Sequence, residues 1–108
     1  MTVLRLVQFN TYLKCLDESR YFDAHEALEE LWFPARFEKN PEVLLLKGFI
    51  NAAVSFELVK RGRPEPSKRA WNNYLKYRVY LDEIAIKEPL YLQMANAVEQ
   101  LSRKLHNE

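Results

Sequence analysis

The hydrophobic positions of this chain recur mostly at spacings of three and four residues, the period of amphipathic α-helices. One such stretch runs from about Val3 to Leu16 and another from about Pro89 to Leu105. In the first stretch the apolar stripe consists of Leu6, Phe9, Leu13 and Leu16. Only two glycines occur, and the five prolines fall near the ends of periodic stretches. The pattern predicts an all-α protein.

The stretch from about Pro41 to Lys60 is apolar on nearly every face, which is typical of a helix surrounded by others. Asn40 is a favourable N-cap, and Pro41 suits a first helical turn. Gly48 costs about 1 kcal/mol against alanine in a helix interior, so we expect a neighbouring helix to pass close to it. We predict that this helix is central to a compact bundle of about five helices.

Two further helices are predicted on either side of the central one in sequence. The earlier helix is expected to begin near Asp23, which would form a capping box with Glu26, and to be interrupted at Pro34. The later helix is expected to span about Ser67 to Ala85, with these residues facing inward: Ala70, Trp71, Tyr74, Leu75, Leu81 and Ile84. Residues 1–108 are expected to form one domain, because that length is close to the commonest domain size.

Composition narrows the class of protein. Apolar residues make up 48% of the chain and aromatic residues 13%, which argues against disorder. The formal net charge of +1 gives no global field that would attract nucleic acid or an anionic membrane. A single cysteine, Cys15, fits a reducing compartment, and Met1–Arg5 lacks the long apolar run of a signal peptide. We expect a cytoplasmic protein without a membrane segment.

The most distinctive motif is H-E-x-x-E-x-x-W. His25, Glu29 and Trp32 fall at positions i, i+4 and i+7, so they share one stripe of a helix. Glu26 lies beside that stripe. Burying a histidine and two carboxylates is costly unless they are paired, so the motif predicts a polar cluster that is either structural or functional.

A structural cluster is one interpretation. His25 would then bond to Glu29 or to a facing polar group such as Asn51 or Tyr74, with Trp32 packed beneath. Such networks specify a unique packing when every member is satisfied.

A site is the other interpretation. His25, Glu26, Glu29, Trp32 and Asn51 would line a groove for a small polar ligand or a partner segment. As a metal-dependent hydrolase, the chain would use His25 and Glu29 as ligands and Glu26 as general base. Zincins have a second histidine at i+4, whereas here the remaining histidine, His106, is expected at a frayed C-terminus. No cofactor is therefore predicted, and a divalent metal stays the alternative.

A third interpretation uses a basic run between Lys60 and Arg78. Lysines and arginines alternate there with Trp71, Tyr74 and Tyr77, as they do on surfaces that bind nucleic acid. If the aromatic side chains instead face the core, the run is an ordinary solvated surface, and we favour that interpretation. A homodimer is also compatible with a small helical domain.

Two segments resemble the DUF309 family. Phe22–Trp32 is similar to the family signature Y-F-E-A-H-E-x-x-E-x-x-W, and Leu46–Val54 is similar to L-x-G-[LI]-I-Q-x-A-[AV]. The resemblance implies a small all-α domain of bundle type without an assigned reaction. The chain departs from the family pattern at Asn51, where glutamine is usual, and at Glu57, where many members carry histidine.

From the sequence we therefore predict a small helical domain that acts as a binding or interaction module. Its partner would be a small ligand or another protein. Nucleic acid is not expected, and whether the domain is an enzyme stays open.

Overall fold

The computed structural model describes residues 2–106 and confirms the all-α fold, with no β-strand in that range. The helices are α1 Val3–Asp17, α2 Tyr21–Trp32, α3 Pro41–Lys60, α4 Pro64–Tyr77, α5 Leu81–Ala85 and α6 Leu90–Leu105. Short 3-10 turns occupy Phe33–Ala35 and Arg78–Tyr80. Met1, Asn107 and Glu108 belong to the predicted domain of residues 1–108 but lie outside the described residues.

Helix α3 is the centre of the bundle, as predicted. It begins at Pro41, and the Oδ1 atom of Asn40 accepts a hydrogen bond of 2.9 Å from the backbone N–H of Val43. It packs against α2, α4 and α6, and its buried residues include Phe49 and Phe56, both fully inaccessible. No helix within residues 2–106 is both long and apolar enough to cross a membrane.

The glycine in α3 marks a close helix crossing. A Cβ atom at Gly48 would lie 3.1 Å from the Cβ of Tyr77 and 3.6 Å from the carbonyl oxygen of Tyr74, both in α4. A contact of that length is tighter than ordinary van der Waals packing, so a larger side chain would push α4 away. The close approach expected from the sequence is confirmed.

The start of α2 differs from the prediction. Ser19 adopts a left-handed conformation with φ of 59°, and the N–H of Arg20 bonds back to the carbonyl of Cys15 at 2.8 Å. This closure ends α1 in a tight turn, so α2 begins at Tyr21. Asp23 therefore lies inside the first turn, where its Oδ2 accepts a 3.0 Å hydrogen bond from Arg20. The predicted capping box with Asp23 as N-cap is wrong.

The predicted helix from Ser67 to Ala85 begins earlier and is divided. A 3-10 turn separates α4 from α5, and after that turn Leu81 and Ala85 are buried against the core. Leu75 was expected to face inward but is 46% exposed, because the buried face of α4 follows Ala70 and Tyr74 and leaves Leu75 about 100° away.

The first turn of α1 is also less buried than predicted. Leu6 is 46% exposed, and its neighbours Val3, Leu4 and Val7 are exposed as well. The helix becomes buried from Gln8 and Phe9 onward. The N-terminal turn of α1 therefore contributes little to the core.

Candidate functional site

The predicted histidine–carboxylate pair is present on α2. The Nε2 atom of His25 lies 3.0 Å from Oε2 of Glu29, one helical turn away. The expected hydrogen bond is therefore confirmed. The pair is only partly buried, because 20% of the His25 side chain and 43% of the Glu29 side chain are exposed. It lies at the edge of the bundle, and the ring of Phe22 approaches that of His25 to 5.5 Å between centroids.

The carboxylate determines which ring nitrogen of His25 carries the hydrogen. An ionised carboxylate only accepts hydrogen bonds, so in the neutral ring Nε2 is the donor and Nδ1 the acceptor. Nδ1 is buried, and no group within residues 2–106 bonds to it. An unpaired buried acceptor costs about 1–3 kcal/mol. His25 is thus a different kind of residue from a fully satisfied structural histidine.

The remaining members of the motif point in different directions. Glu26 is exposed and lines an open depression together with Glu29, Glu30, Phe33 and Pro34. The indole of Trp32 is partly buried and packs against the hydrophobic core. The motif therefore supplies an exposed acidic side, a half-buried histidine and a packing residue.

Asn51 does not join His25. Its Nδ2 donates to the carbonyl of Lys47 at 2.8 Å, and its Oδ1 accepts from Asn73 of α4 at 3.3 Å. Tyr74, the other suggested partner, donates to Glu99 at 2.6 Å. Of the partners considered for His25, the structure pairs it with Glu29, and Asn51 and Tyr74 bond elsewhere. Asn51 follows Gly48 by about one turn and therefore lies on the side of α3 that faces α4, whereas α2 packs elsewhere on α3.

An apolar cavity lies beside His25, between α2 and the C-terminal half of α3. Its volume is about 200 Å³, and it is lined by Tyr21, Phe22, His25, Val54, Glu57, Leu58 and Arg61. Its polar groups are few and placed around an apolar surface. The Nε atom of Arg61 donates to Oε2 of Glu57 at 2.7 Å, so one charged pair also lines the cavity. We refer to this space as the α2–α3 cavity.

Sequence reasoning found only part of this cavity. Val54, Leu58 and Arg61 are spaced i, i+4 and i+7, a stripe that could have been recognised as one face of α3. Tyr21 lies before the helix start that the sequence predicts near Asp23, so the sequence does not place it on a face of α2. Glu57 was noted for its departure from the family pattern, yet nothing in the sequence alone placed it near His25.

A metal centre at His25 would need more ligands than the motif provides. Within the described residues, no group of three or more histidine, cysteine, aspartate or glutamate side chains is arranged to hold a metal ion. The alternative site would have His25 and Glu29 as its only ligands, whereas catalytic zinc sites usually have three protein ligands. Cys15 is buried and free, and burial raises the pKa of its thiol, which disfavours the reactive thiolate.

Of the aromatic residues in the basic run between Lys60 and Arg78, Tyr74 is buried, and Trp71 and Tyr77 are partly buried. Tyr74 is fully buried, and the ring of Trp71 packs 4.7 Å from it between centroids. Arg78 donates to Glu99 at 2.6 Å, so part of the positive charge is already paired. These contacts match the interpretation in which the aromatic side chains face the core.

The second histidine is packed, contrary to the expectation of a frayed C-terminus. The Oγ of Ser67 donates to the carbonyl of Ser55 at 2.7 Å, so it accepts from Nε2 of His106, which lies 3.0 Å away. Nδ1 of His106 then accepts from Ser102 at 2.7 Å. Both ring nitrogens are satisfied, and burial lowers the pKa of His106. The His106 side chain therefore links the C-terminal end of α6 to α4 through hydrogen bonds.

Comparison with known proteins identifies one family model that matches the chain. A family model described as Domain of unknown function (DUF309) matches residues 9–70, which is more than half of the chain. No curated protein and no solved structure matches the chain. The matched segment contains α2 and α3 and therefore both walls of the α2–α3 cavity.

Proposed function

We propose that this chain, which belongs to the DUF309 family, is a binding module that holds an apolar group of its ligand in the α2–α3 cavity. The observation that carries the proposal is an apolar cavity in which one lining side chain, His25, has a buried nitrogen without a partner. Binding sites characteristically combine an apolar wall with a few placed polar groups.

The size of the cavity limits what it can hold. Sites for drug-sized molecules have volumes of roughly 300–1,000 Å³, and this cavity has about 200 Å³. It therefore suits one amino-acid side chain or a ligand of similar size better than a nucleotide cofactor. A side chain delivered by a protein partner is consistent with an interaction module.

The lining residues have separable roles in this proposal. Phe22, Val54 and Leu58 form the apolar surface that the ligand covers. Glu29 orients the His25 ring through its hydrogen bond to Nε2. The Glu57–Arg61 pair offers charged hydrogen-bonding groups in the same lining. None of these roles requires a covalent step or a metal.

The wider setting is part of the same proposal. We take residues 1–108 to be one cytoplasmic domain in which Trp32 supports α2 from the core and Glu26 lies at the acidic edge of the site. Asn51 is assigned to the contact between α3 and α4 and not to ligand binding.

A cavity-filling substitution tests the proposal. We would add indole at millimolar concentration and follow backbone amide shifts by NMR in the wild type, in Val54→Trp and in the matched control Val79→Trp. Val54 lines the cavity, whereas Val79 is 74% exposed in the turn after α4. We expect indole to shift amides around Phe22, Val54 and Leu58 in the wild type and in the control, and to lose this effect in Val54→Trp.

Shifts that persist in a folded Val54→Trp protein would contradict the proposal, as would shifts centred away from α2 and α3. Circular dichroism of both variants shows whether each retains its helices. If Val54→Trp does not fold, Leu58→Trp replaces it, because Leu58 lines the same cavity.

A further inference from the structure

Helix α2 carries an acidic surface next to the cavity. Between Tyr21 and Trp32 the sequence has four carboxylates and no lysine or arginine. Two of the four are engaged with neighbouring elements, since Asp23 pairs with Arg20 and Glu30 bonds to Gln8 of α1.

The other two carboxylates are Glu26 and Glu29, and Oε2 of Glu29 already accepts a hydrogen bond from His25. Glu26 is exposed, and the Glu29 side chain is 43% exposed beside His25. Among residues 2–106, no lysine or arginine forms an ion pair with either carboxylate. Their negative charge is therefore not neutralised by a basic side chain of the described chain.

These carboxylates lie between two exposed aromatic rings. Phe22, Glu26, Glu29 and Phe33 are spaced by four, three and four residues, so they follow one face of α2 into the turn after it. Phe22 is 50% exposed and Phe33 is 54% exposed. The face is about 17 Å long at the rise of an α-helix. We call it the α2 face.

The α2 face is continuous with the α2–α3 cavity. Phe22 belongs to both, and His25 lines the cavity while bonding to Glu29 of the face. At the other end, the Arg36 guanidinium already lies 3.7 Å from the centre of the Phe33 ring. That end of the face is therefore already covered by a cation of the chain itself, so a partner's basic side chains are expected at Glu26 and Glu29.

We infer that the α2 face docks a basic segment of a partner protein. An apolar side chain of the segment enters the cavity beside Phe22, and its lysine or arginine side chains pair with Glu26 and Glu29. The inference rests on the proposed function, because the apolar anchor occupies the proposed cavity. Charge complementarity selects this occupant, since the same carboxylates repel nucleic acid and anionic lipid.

Synthetic peptides test the inference directly. The probe is a fluorescent peptide of about three helical turns with leucine near each end and lysines between them, on an alanine background. A matched peptide has glutamine in place of every lysine. Binding is measured by fluorescence anisotropy at low and at moderate salt.

Two protein variants separate the charges from the cavity. Glu26→Gln/Glu29→Gln removes the acidic pair, and Asp82→Asn/Glu83→Gln removes two exposed carboxylates of α5 as a charge-matched control. We expect the first variant to weaken binding of the lysine peptide by about fivefold and the control by less than about twofold, because exposed ion pairs contribute weakly. Salt should weaken binding of the lysine peptide only.

The possible results have distinct meanings. If both peptides bind equally and Val54→Trp abolishes both, the cavity is a binding site but the inference about a basic partner is wrong. If binding persists in a folded Val54→Trp protein, the proposed function and the inference both fail. If the wild type self-associates through the Lys60–Arg78 surface and Glu26→Gln/Glu29→Gln abolishes that association, a second copy occupies the face and the inference of a separate basic partner is overturned.

Discussion

The two histidines of this chain lie in environments of opposite character. His106 has hydrogen-bond partners on both ring nitrogens and packs 5.4 Å from the ring of Trp71. His25 has a partner on one nitrogen, a buried and unpaired second nitrogen, and a cavity beside its ring. The first holds α6 to α4, and the second lies where α2 and α3 leave space.

The difference shows how a polar side chain in a small helical domain can be assigned to stability or to binding. Polar groups between α4 and α6 satisfy one another, as in the hydrogen bonds from Tyr74 and Arg78 to Glu99. Burial alone would raise the pKa of Glu99, but the hydrogen bonds and the charge of Arg78 together lower it. At the α2–α3 cavity, Nδ1 of His25 has no partner among the described residues, and the proposed binding role rests on this difference.

The largest expected difference in the free energy of unfolding is between alanine substitutions of one aromatic residue from each region. Tyr74 is fully buried and bonds to Glu99, whereas Phe22 is 50% exposed beside the cavity. Tyr74→Ala should lower the free energy of unfolding by about 3–5 kcal/mol, and Phe22→Ala by less than about 1 kcal/mol. Urea denaturation of both variants measures this. Equal losses would remove the distinction between a structural and a binding region.

Alanine substitutions of the two histidines should give the next largest difference in the free energy of unfolding. His106→Ala removes the hydrogen bonds to Ser67 and Ser102, while Ser67 keeps its bond to the carbonyl of Ser55, so it should lower the free energy of unfolding by about 1–3 kcal/mol. His25→Ala loses one bond to a half-exposed carboxylate but also removes an unpaired buried acceptor, so we expect a loss below about 1 kcal/mol. Thermal or urea unfolding of the two variants tests the order. A larger loss for His25→Ala would make the α2 pair the structural one.

A smaller effect concerns pH. Burial lowers the pKa of His106 below its ordinary value of 6.5, so the unfolded chain binds this proton at a higher pH than the folded protein does. The stability from neutral His106 is present above about pH 6.5, falls as the pH drops below that value, and stops falling once the pH is below the folded pKa. We expect the urea midpoint of the wild type to decrease between about pH 7 and pH 5 more than that of His106→Gln. Identical pH profiles would contradict this.

The sequence predicted those parts of the fold that depend on local signals. Asn40 and Pro41 correctly placed the start of α3, and Gly48 correctly indicated a close helix crossing. The pair at i and i+4 correctly linked His25 to Glu29. Each of these features depends on residues within about one helical turn or on the stripe that they form.

The other features of the structure depend on how the helices pack, which the spacing of residues along the sequence does not determine. The early start of α2 arises because a serine takes a left-handed conformation usually associated with glycine. The cavity requires the rotation of α2 against α3, which brings Glu57 and His25 to one space. His106 is fixed by Ser67, far away in sequence, and no local pattern predicts that contact.

Because the chain has only two histidines, their ring signals can be followed separately. This allows a direct test of the central claim that the ligand binds at His25 and that His106 has a structural role. The measurement follows the ring C–H resonances of both histidines by NMR while the lysine peptide is added to the wild-type protein. We predict that the His25 resonances shift in a saturable manner and that the His106 resonances stay in place. Shifts at His106 with none at His25 would contradict the account.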